Sequence, residues 1–180
     1  MSGLAFDTST DVLTVALGDG TRIFAERNLR LPRRHLERLV PTIAEVIDEV
    51  EMGLSDLQTV SVGIGPGSFT GLRIGVATAR GLAQALGTSL VGLPSLEVIA
   101  AGAEQSGTVC SIVGSRPGEF YYCFYAVENG HPKQISQIAA GSILEVESHA
   151  KALGGPVVFT GPGVAACKTD LGDRLANCVF

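Results

Sequence analysis

The chain has 180 residues, 46% hydrophobic and 17% charged, with a formal net charge of −5. This composition excludes a disordered chain, and the acidic balance argues against a nucleic-acid binder acting alone. No apolar run reaches the roughly 18 residues needed to cross a bilayer, and the opening MSGLAFDTST lacks the basic and apolar regions of a signal peptide.

Residues 3–9 form a short apolar run ending in Asp7-Thr8-Ser9-Thr10, and residues 12–17 follow it. Asp19-Gly20 is a hairpin signal and residues 22–27 come next, so three consecutive antiparallel strands are predicted. Leu36, Leu39, Val40, Ile43, Val46, Ile47 and Val50 then recur at helical spacing. Pro41 either kinks that helix or lies near its start, because proline has no N–H to bond back, and Gly53 is a natural stop. Residues 60–65 read as a buried strand, 72–86 as a second helix ending at Gly87, and 89–93 as a further strand before a helix capped by Ser95.

The second half repeats this order. Residues 109–113 and 119–127 read as strands around an Arg116-Pro117-Gly118 turn, and Asn129-Gly130 turns into a weaker strand near 134–138. Ser142 caps a helix that runs to Leu153 and ends at Gly154-Gly155; residues 157–160 form a strand, and Gly161-Pro162-Gly163 opens a last short helix. Strand-strand-strand-helix-strand-helix therefore occurs twice in an α/β chain. The expected domains are 1–104 and 105–180.

Between the fourth strand and the second helix lies GIGPGSFTGLRIG, residues 63–75. Glycine-rich turns of this kind often cradle phosphates on backbone N–H groups. This one misses each template. Arg73 stands two places past Gly71 where a P-loop needs Lys directly after glycine, the third glycine of a dinucleotide fingerprint is one place late, and Ser68 lacks the GxSxG frame of a hydrolase elbow. A tight turn with Ser68 or Thr70 as N-cap accounts for it. Within the following helix Gly71, Gly75, Ala79 and Ala83 form a ridge of small side chains, and Leu72, Ile74, Val76, Ala77, Leu82 and Leu86 cover most of the rest. A helix apolar nearly all round is buried on more than one side. The ridge admits another helix closely, either the 36–50 helix of the same chain or one from a second subunit.

Cys110, Cys123, Cys167 and Cys178 show no paired spacing and read as reduced thiols of a cytoplasmic chain. His35, His131 and His149 sit in separate segments, unlike zinc motifs, with His35 exposed or capping at a helix start. Arg22, Arg27, Arg30, Arg33, Arg34 and Arg38 make a dense cluster, read first as a solvated face and second as a docking patch for an acidic partner or a phosphate backbone. Asp7 stands at a strand end, a common place for a catalytic carboxylate; with Thr8 and Ser9 near phosphates it supports the alternative of a nucleotide-dependent kinase or ATPase.

LAFDTSTDVLTVAL, RRHLERLVPTIAEVI, LSDLQTVSVGIGPGSFTGLRIGVATARGLAQALG and LVGLPSLEVIA together resemble the bacterial TsaB (YeaZ) family, most densely over residues 4–101. The resemblance implies two tandem actin-like (ribonuclease-H-like) lobes, the second shortened, and a part in forming threonylcarbamoyladenosine in tRNA. It implies kinship with the catalytic subunit TsaD, whose two metal histidines correspond here to Ser95 and Ile99. The implied role is a non-catalytic subunit that forms a homodimer in isolation and a heterodimer with TsaD through equivalents of the two helices. This sets the expected interface at His35, Leu36, Leu39, Ile43, Leu72, Arg73, Gly75, Val76, Ala79 and Ala83. No cofactor is expected on this chain: ATP and a metal belong to the partner subunits, the ATPase TsaE joins the complex, and tRNA is touched only indirectly. A metallopeptidase reading of the wider family fails for want of the histidines. The sequence departs from the family where Gly114 replaces an aspartate, although Arg116 and Glu119 persist, and in its short second lobe.

Overall fold

The computed structural model describes residues 2–32, 34–175 and 178–180. It divides into two compact units, Met1–Ser95 and Leu96–Phe180, so the division falls ahead of the boundary expected after residue 104.

In the first unit, β1 (Gly3–Asp7), β2 (Val12–Gly18) and β3 (Ile23–Arg30) are the three predicted antiparallel strands. β1 ends before residue 9 because the Asp7 carboxylate takes the Ser9 N–H at 2.5 Å and turns the chain. Helix α1 (His35–Glu49) keeps Pro41 inside on its exposed side. Gly53 is not its stop. The chain leaves α1 through Val50 and a left-handed Glu51 (φ 54°), and Gly53 instead opens a short 3₁₀ turn, Leu54–Asp56. Next come β4 (Thr59–Gly63), α2 (Phe69–Leu86) and β5 (Ser89–Leu93). Ser68, not Thr70, caps α2 by accepting the Gly71 N–H at 3.2 Å, and Gly87 closes it at φ 65°. The sheet order is β3-β2-β1-β4-β5, with β4 parallel to both neighbours. Alternate residues Leu4, Phe6, Leu13, Val15 and Leu17 point to one face, where they pack with Leu39, Ile43, Val46 and Ile47 of α1 and Ala79 and Ala83 of α2.

The second unit opens with most of α3 (Ser95–Ala101), followed by β6 (Gly107–Gly114), β7 (Glu119–Glu128) and β8 (His131–Gln134). The weak third strand thus begins directly at the Asn129-Gly130 turn, earlier than expected, with Asn129 at φ 52° and Gly130 at φ 75°. Two strands escaped the sequence pattern: β9 (Ala139–Ser142), which pairs with β7, and the two-residue β11 (Cys178–Val179). Between them lie α4 (Ile143–Leu153), β10 (Val157–Thr160) and α5 (Val164–Arg174). At the start of α4 the Glu145 carboxylate accepts the Ser142 N–H at 2.8 Å and the Ser142 hydroxyl at 3.0 Å. The sheet runs β11-β10-β6-β7-β8, with the same order and directions as the first sheet read from its other edge. One face packs Ile112, Tyr122, Phe124 and Phe159 against α4 and α5; the other packs Val109, Val113 and Tyr125 against Leu96 and Ala100 of α3.

Candidate functional site

The glycine loop of the first unit is filled by its own chain. The Ser68 N–H donates to the Ser9 carbonyl at 2.7 Å, and the Thr8 hydroxyl donates to the Gly71 carbonyl at 2.8 Å. A Cβ on Gly67 would fall inside the Ser9 carbonyl oxygen, and one on Gly71 inside that of Thr8. Thr8 and Ser9 are buried, so the loop receives the turn after β1 where a phosphate-binding loop would receive a ligand. Asp7 is engaged as well. Ser95 Oγ donates to its Oδ2 at 2.5 Å and accepts the Gly65 N–H at 3.1 Å, while Asp7 Oδ1 holds the Ser9 N–H. A Cβ on Gly63 would collide with that carboxylate.

The expected interface residues divide between core and surface. Leu39, Ile43, Gly75, Ala79 and Ala83 are buried within the first unit. The small-residue ridge therefore faces its own sheet: a Cβ on Gly75 would strike the Thr8 hydroxyl and approach Val62 at 3.5 Å. Leu72 and Val76 are half-buried, and only Leu36 and Arg73 are fully exposed. His35 is buried, contrary to the exposed or capping role expected, and α1 has no side-chain cap. It lines a cleft of about 430 Å³ with Thr10, Asp11, Ser68 and Thr70, so the starts of α1 and α2 are neighbours.

The surface that remains is apolar. Leu36 is 74% exposed, Val40 one turn later 60%, and Phe69 73%, with the Arg73 guanidinium 5.6 Å from the Phe69 ring centre. Val40 and Phe69 were absent from the expected set. The Leu36/Val40 spacing of four was the available signal, since such pairs share one helix stripe.

Three of the six arginines of the cluster are paired with carboxylates. Arg27 pairs with Glu49, Arg34 with Glu37 at 3.2 Å and Arg38 with Glu45 at 3.3 Å, while Arg22 stacks on Phe24; Arg33 lies outside the described residues. Exposed pairs of this kind fix side chains more than they stabilise. Among the described residues no three His, Cys, Asp or Glu side chains converge as a metal site would need, and no helix is long and apolar enough to cross a membrane. Ser95 is buried on Asp7, Ile99 lies against Gly161, and Gly114 is exposed at the end of β6. All four cysteines are free thiols; Cys110, Cys123 and Cys167 are buried.

Two lobes that share one strand order, each with a glycine turn packed on its first strand, define a two-lobe protein of the actin-like class. The family model described as TsaD, tRNA N6-adenosine threonylcarbamoyltransferase, matches residues 30–173. The tRNA threonylcarbamoyladenosine biosynthesis protein TsaB of Bacillus subtilis (strain 168) is 32% identical over 181 residues, covering 100% of this chain and 79% of that protein. The protein of the same name from Escherichia coli (strain K12) is 34% identical over 166 residues, 89% of this chain and 71% of its own length. The solved YeaZ from Pseudomonas aeruginosa superposes with a TM-score of 0.78 at 27% identity, covering 93% of this chain and 78% of that one. The chain belongs to the TsaB (YeaZ) family.

Proposed function

We propose that this chain is a non-catalytic subunit in the formation of threonylcarbamoyladenosine in tRNA, and that it dimerises with a TsaD-like catalytic subunit through α1 and α2. The reading is supported by the names of its relatives. The observation that carries it is the exposed set Leu36, Val40 and Phe69 beside Arg73. Aromatic and arginine side chains clustered with aliphatic ones are the residue types that dominate binding energy at protein interfaces. The expected interface is thereby narrowed to the outer face of the two helices; the buried part of the original set supports that face from beneath. In isolation the same face makes a homodimer. ATP and metal chemistry belong to the catalytic subunit and to a TsaE-like ATPase, tRNA is reached through them, and the complex works in the cytoplasm.

Co-purification with the TsaD-like paralogue, followed by a threonylcarbamoylation assay with and without this chain, tests the proposal. Phe69→Asp with Leu36→Asp is expected to abolish co-elution and stimulation while circular dichroism stays unchanged. Full association of that variant would overturn the assignment. The kinase alternative predicts micromolar ATP binding by the chain alone, lost in Asp7→Asn. The engagement of Asp7, Thr8 and Ser9 by their own chain supports the opposite outcome.

A further inference from the structure

An outer strand of a sheet leaves backbone N–H and C=O groups open to pairing with another chain. Most outer strands here carry a feature that discourages it. β3 has Glu26, Arg27 and Arg30 along it and a register shift against β2 at Leu17/Gly18. β8 has Pro132 and Lys133, β11 is two residues long, and β9 is four residues long with only Ala140 exposed. β5 has none of these. Its five residues, Ser89-Leu90-Val91-Gly92-Leu93, carry no charge and no proline, and all five are exposed.

Its free groups are set by the pairing on its inner side. The Ser89 N–H donates to the Gln58 carbonyl at 3.2 Å, and the Leu93 carbonyl accepts the Ile64 N–H at 2.9 Å. Ser89, Val91 and Leu93 therefore turn their backbone groups toward β4, and by alternation Leu90 and Gly92 turn theirs outward. Side chains alternate as well: Leu90 shares a face with Val60, and Val91 lies on the opposite face with Ser61. Ile64 stands where a side chain on Gly92 would go, since a Cβ there would fall 2.9 Å from its Cγ2. Ile64 is itself exposed.

We infer that β5 pairs antiparallel with β5 of a second copy about a two-fold axis at Val91, joining two five-stranded sheets into one. In this register Leu90 and Gly92 of the second copy exchange both hydrogen bonds, symmetry repeats the pair, and every outward group finds a partner. An axis at Leu90 would set Gly92 against Thr88, whose N–H is held by the Ala83 carbonyl. An axis at Gly92 would set Leu90 against Pro94, which has no N–H. With the axis at Val91, the Leu90 side chain faces a glycine beside Ile64, and Val91 faces its own copy as a β-branched cross-strand pair. No like charges meet. A five-residue edge buries far less than the roughly 1,600 Å² of a standard interface, so the association is reversible and shows at high protein concentration. It does not involve the α1–α2 surface.

At the axis Val91 meets its copy in a non-hydrogen-bonded pair, where Cα atoms approach to about 4.5 Å, within the span of a disulfide. Under mild oxidation of the folded chain, Val91→Cys is expected to give a covalent dimer. Leu90→Cys, which faces Gly92, and the unsubstituted chain are expected to stay monomeric on denaturing gels. Within β5, hydrogen exchange should slow with rising concentration at the Leu90 and Gly92 amides alone. Val91→Lys should raise the dissociation constant about tenfold, because like charges then meet at the axis, while circular dichroism reports an intact fold. These results should persist in a chain that also carries Leu36→Asp and Phe69→Asp, which separates this contact from the α1–α2 face. No cross-link from Val91→Cys overturns the pairing, and equal cross-linking by Leu90→Cys overturns the register. Protection of the two amides only when the TsaD-like paralogue is added overturns the second copy as the occupant.

Discussion

Gly65-Pro66-Gly67 and Gly161-Pro162-Gly163 occupy the same place in the two lobes: each follows the strand that lies parallel to the lobe's first strand, β4 or β10, and precedes the helix after it, α2 or α5. Gly65 and Gly161 share a left-handed backbone, φ 95° and 104°. Each turn packs on its lobe's first strand or the bend that follows it: Ser68 donates to the Ser9 carbonyl just past β1, and Gly163 to that of Ile112 in β6 at 3.0 Å. With the two turns aligned, the strand registers set Asp7, Thr8 and Ser9 of the first lobe opposite Cys110, Ser111 and Ile112 of the second. One scaffold therefore holds a hydrogen-bonded carboxylate in one lobe and a buried thiol in the other. The difference teaches that these glycines serve the close approach of two backbone segments, whatever chemistry the strand end carries.

The most severe way to break this comparison is to add one methyl group to each turn. In Gly67→Ala the new carbon meets the Ser9 carbonyl, which cannot retreat without losing the Ser68 bond. In Gly163→Ala it meets Ile112 Cγ2 at 2.8 Å and the Ile112 carbonyl at 3.0 Å, where a side chain can take up part of the strain. The expected losses are about 3 kcal/mol for Gly67→Ala and about 1 kcal/mol for Gly163→Ala. Urea unfolding of the two variants measures them, and equal or reversed costs would remove the packing argument.

The doubled element order was legible because strand alternation, helical spacing and turn residues are local signals. β9 and β11 were not, since four and two residues carry too little pattern and are strands only through their partners. The ridge of Gly71, Gly75, Ala79 and Ala83 was legible as a ridge, but its direction was not. Spacing says that a close neighbour exists, and only the tertiary fold supplies Thr8 as that neighbour. The same holds for Asp7 and Ser95, 88 residues apart and joined by one hydrogen bond. Leu36 and Arg73 stood in the expected interface set, whereas Phe69 lay at a helix start among residues assigned to the turn.

Among the described residues no hydrogen bond holds the Cys110 thiol as Ser95 holds Asp7, so removing Ser95 sharpens the contrast at a smaller scale. Ser95→Ala leaves the Gly65 N–H and Asp7 Oδ2 without this partner, at an expected cost of about 2 kcal/mol. Ser95→Thr, which keeps the hydroxyl, should recover most of it in the same urea measurement. A full cost in the threonine variant would assign the loss to packing.

The mildest test uses pH, because the lobes differ in what can titrate. Residues 1–95 contain no Cys, Tyr or Lys, so apart from the chain's amino terminus the first lobe has nothing to deprotonate between the histidine and arginine ranges. In the second lobe burial raises the Cys110 thiol well above its ordinary value, with Cys123 and Cys167 adding to the effect. Burial, with Asp170 contributing, pushes the Cys167 thiol from 9.0 up to about 11. Above pH 9 the unfolded chain releases these protons while the folded chain retains them, so the folded state binds more protons and stability falls as pH rises. The contribution is complete below pH 9 and, for Cys167, is lost through about 11, with a slope of at most about 1.4 kcal/mol per pH unit for each thiol. Urea midpoints at pH 8, 9, 10 and 11 should drop only for the transition of the second lobe, and Cys167→Ala should flatten the fall. An equal decline in the first lobe's transition would mean that the two lobes unfold as one unit, and that the polar and thiol forms of the shared scaffold are not independently stable.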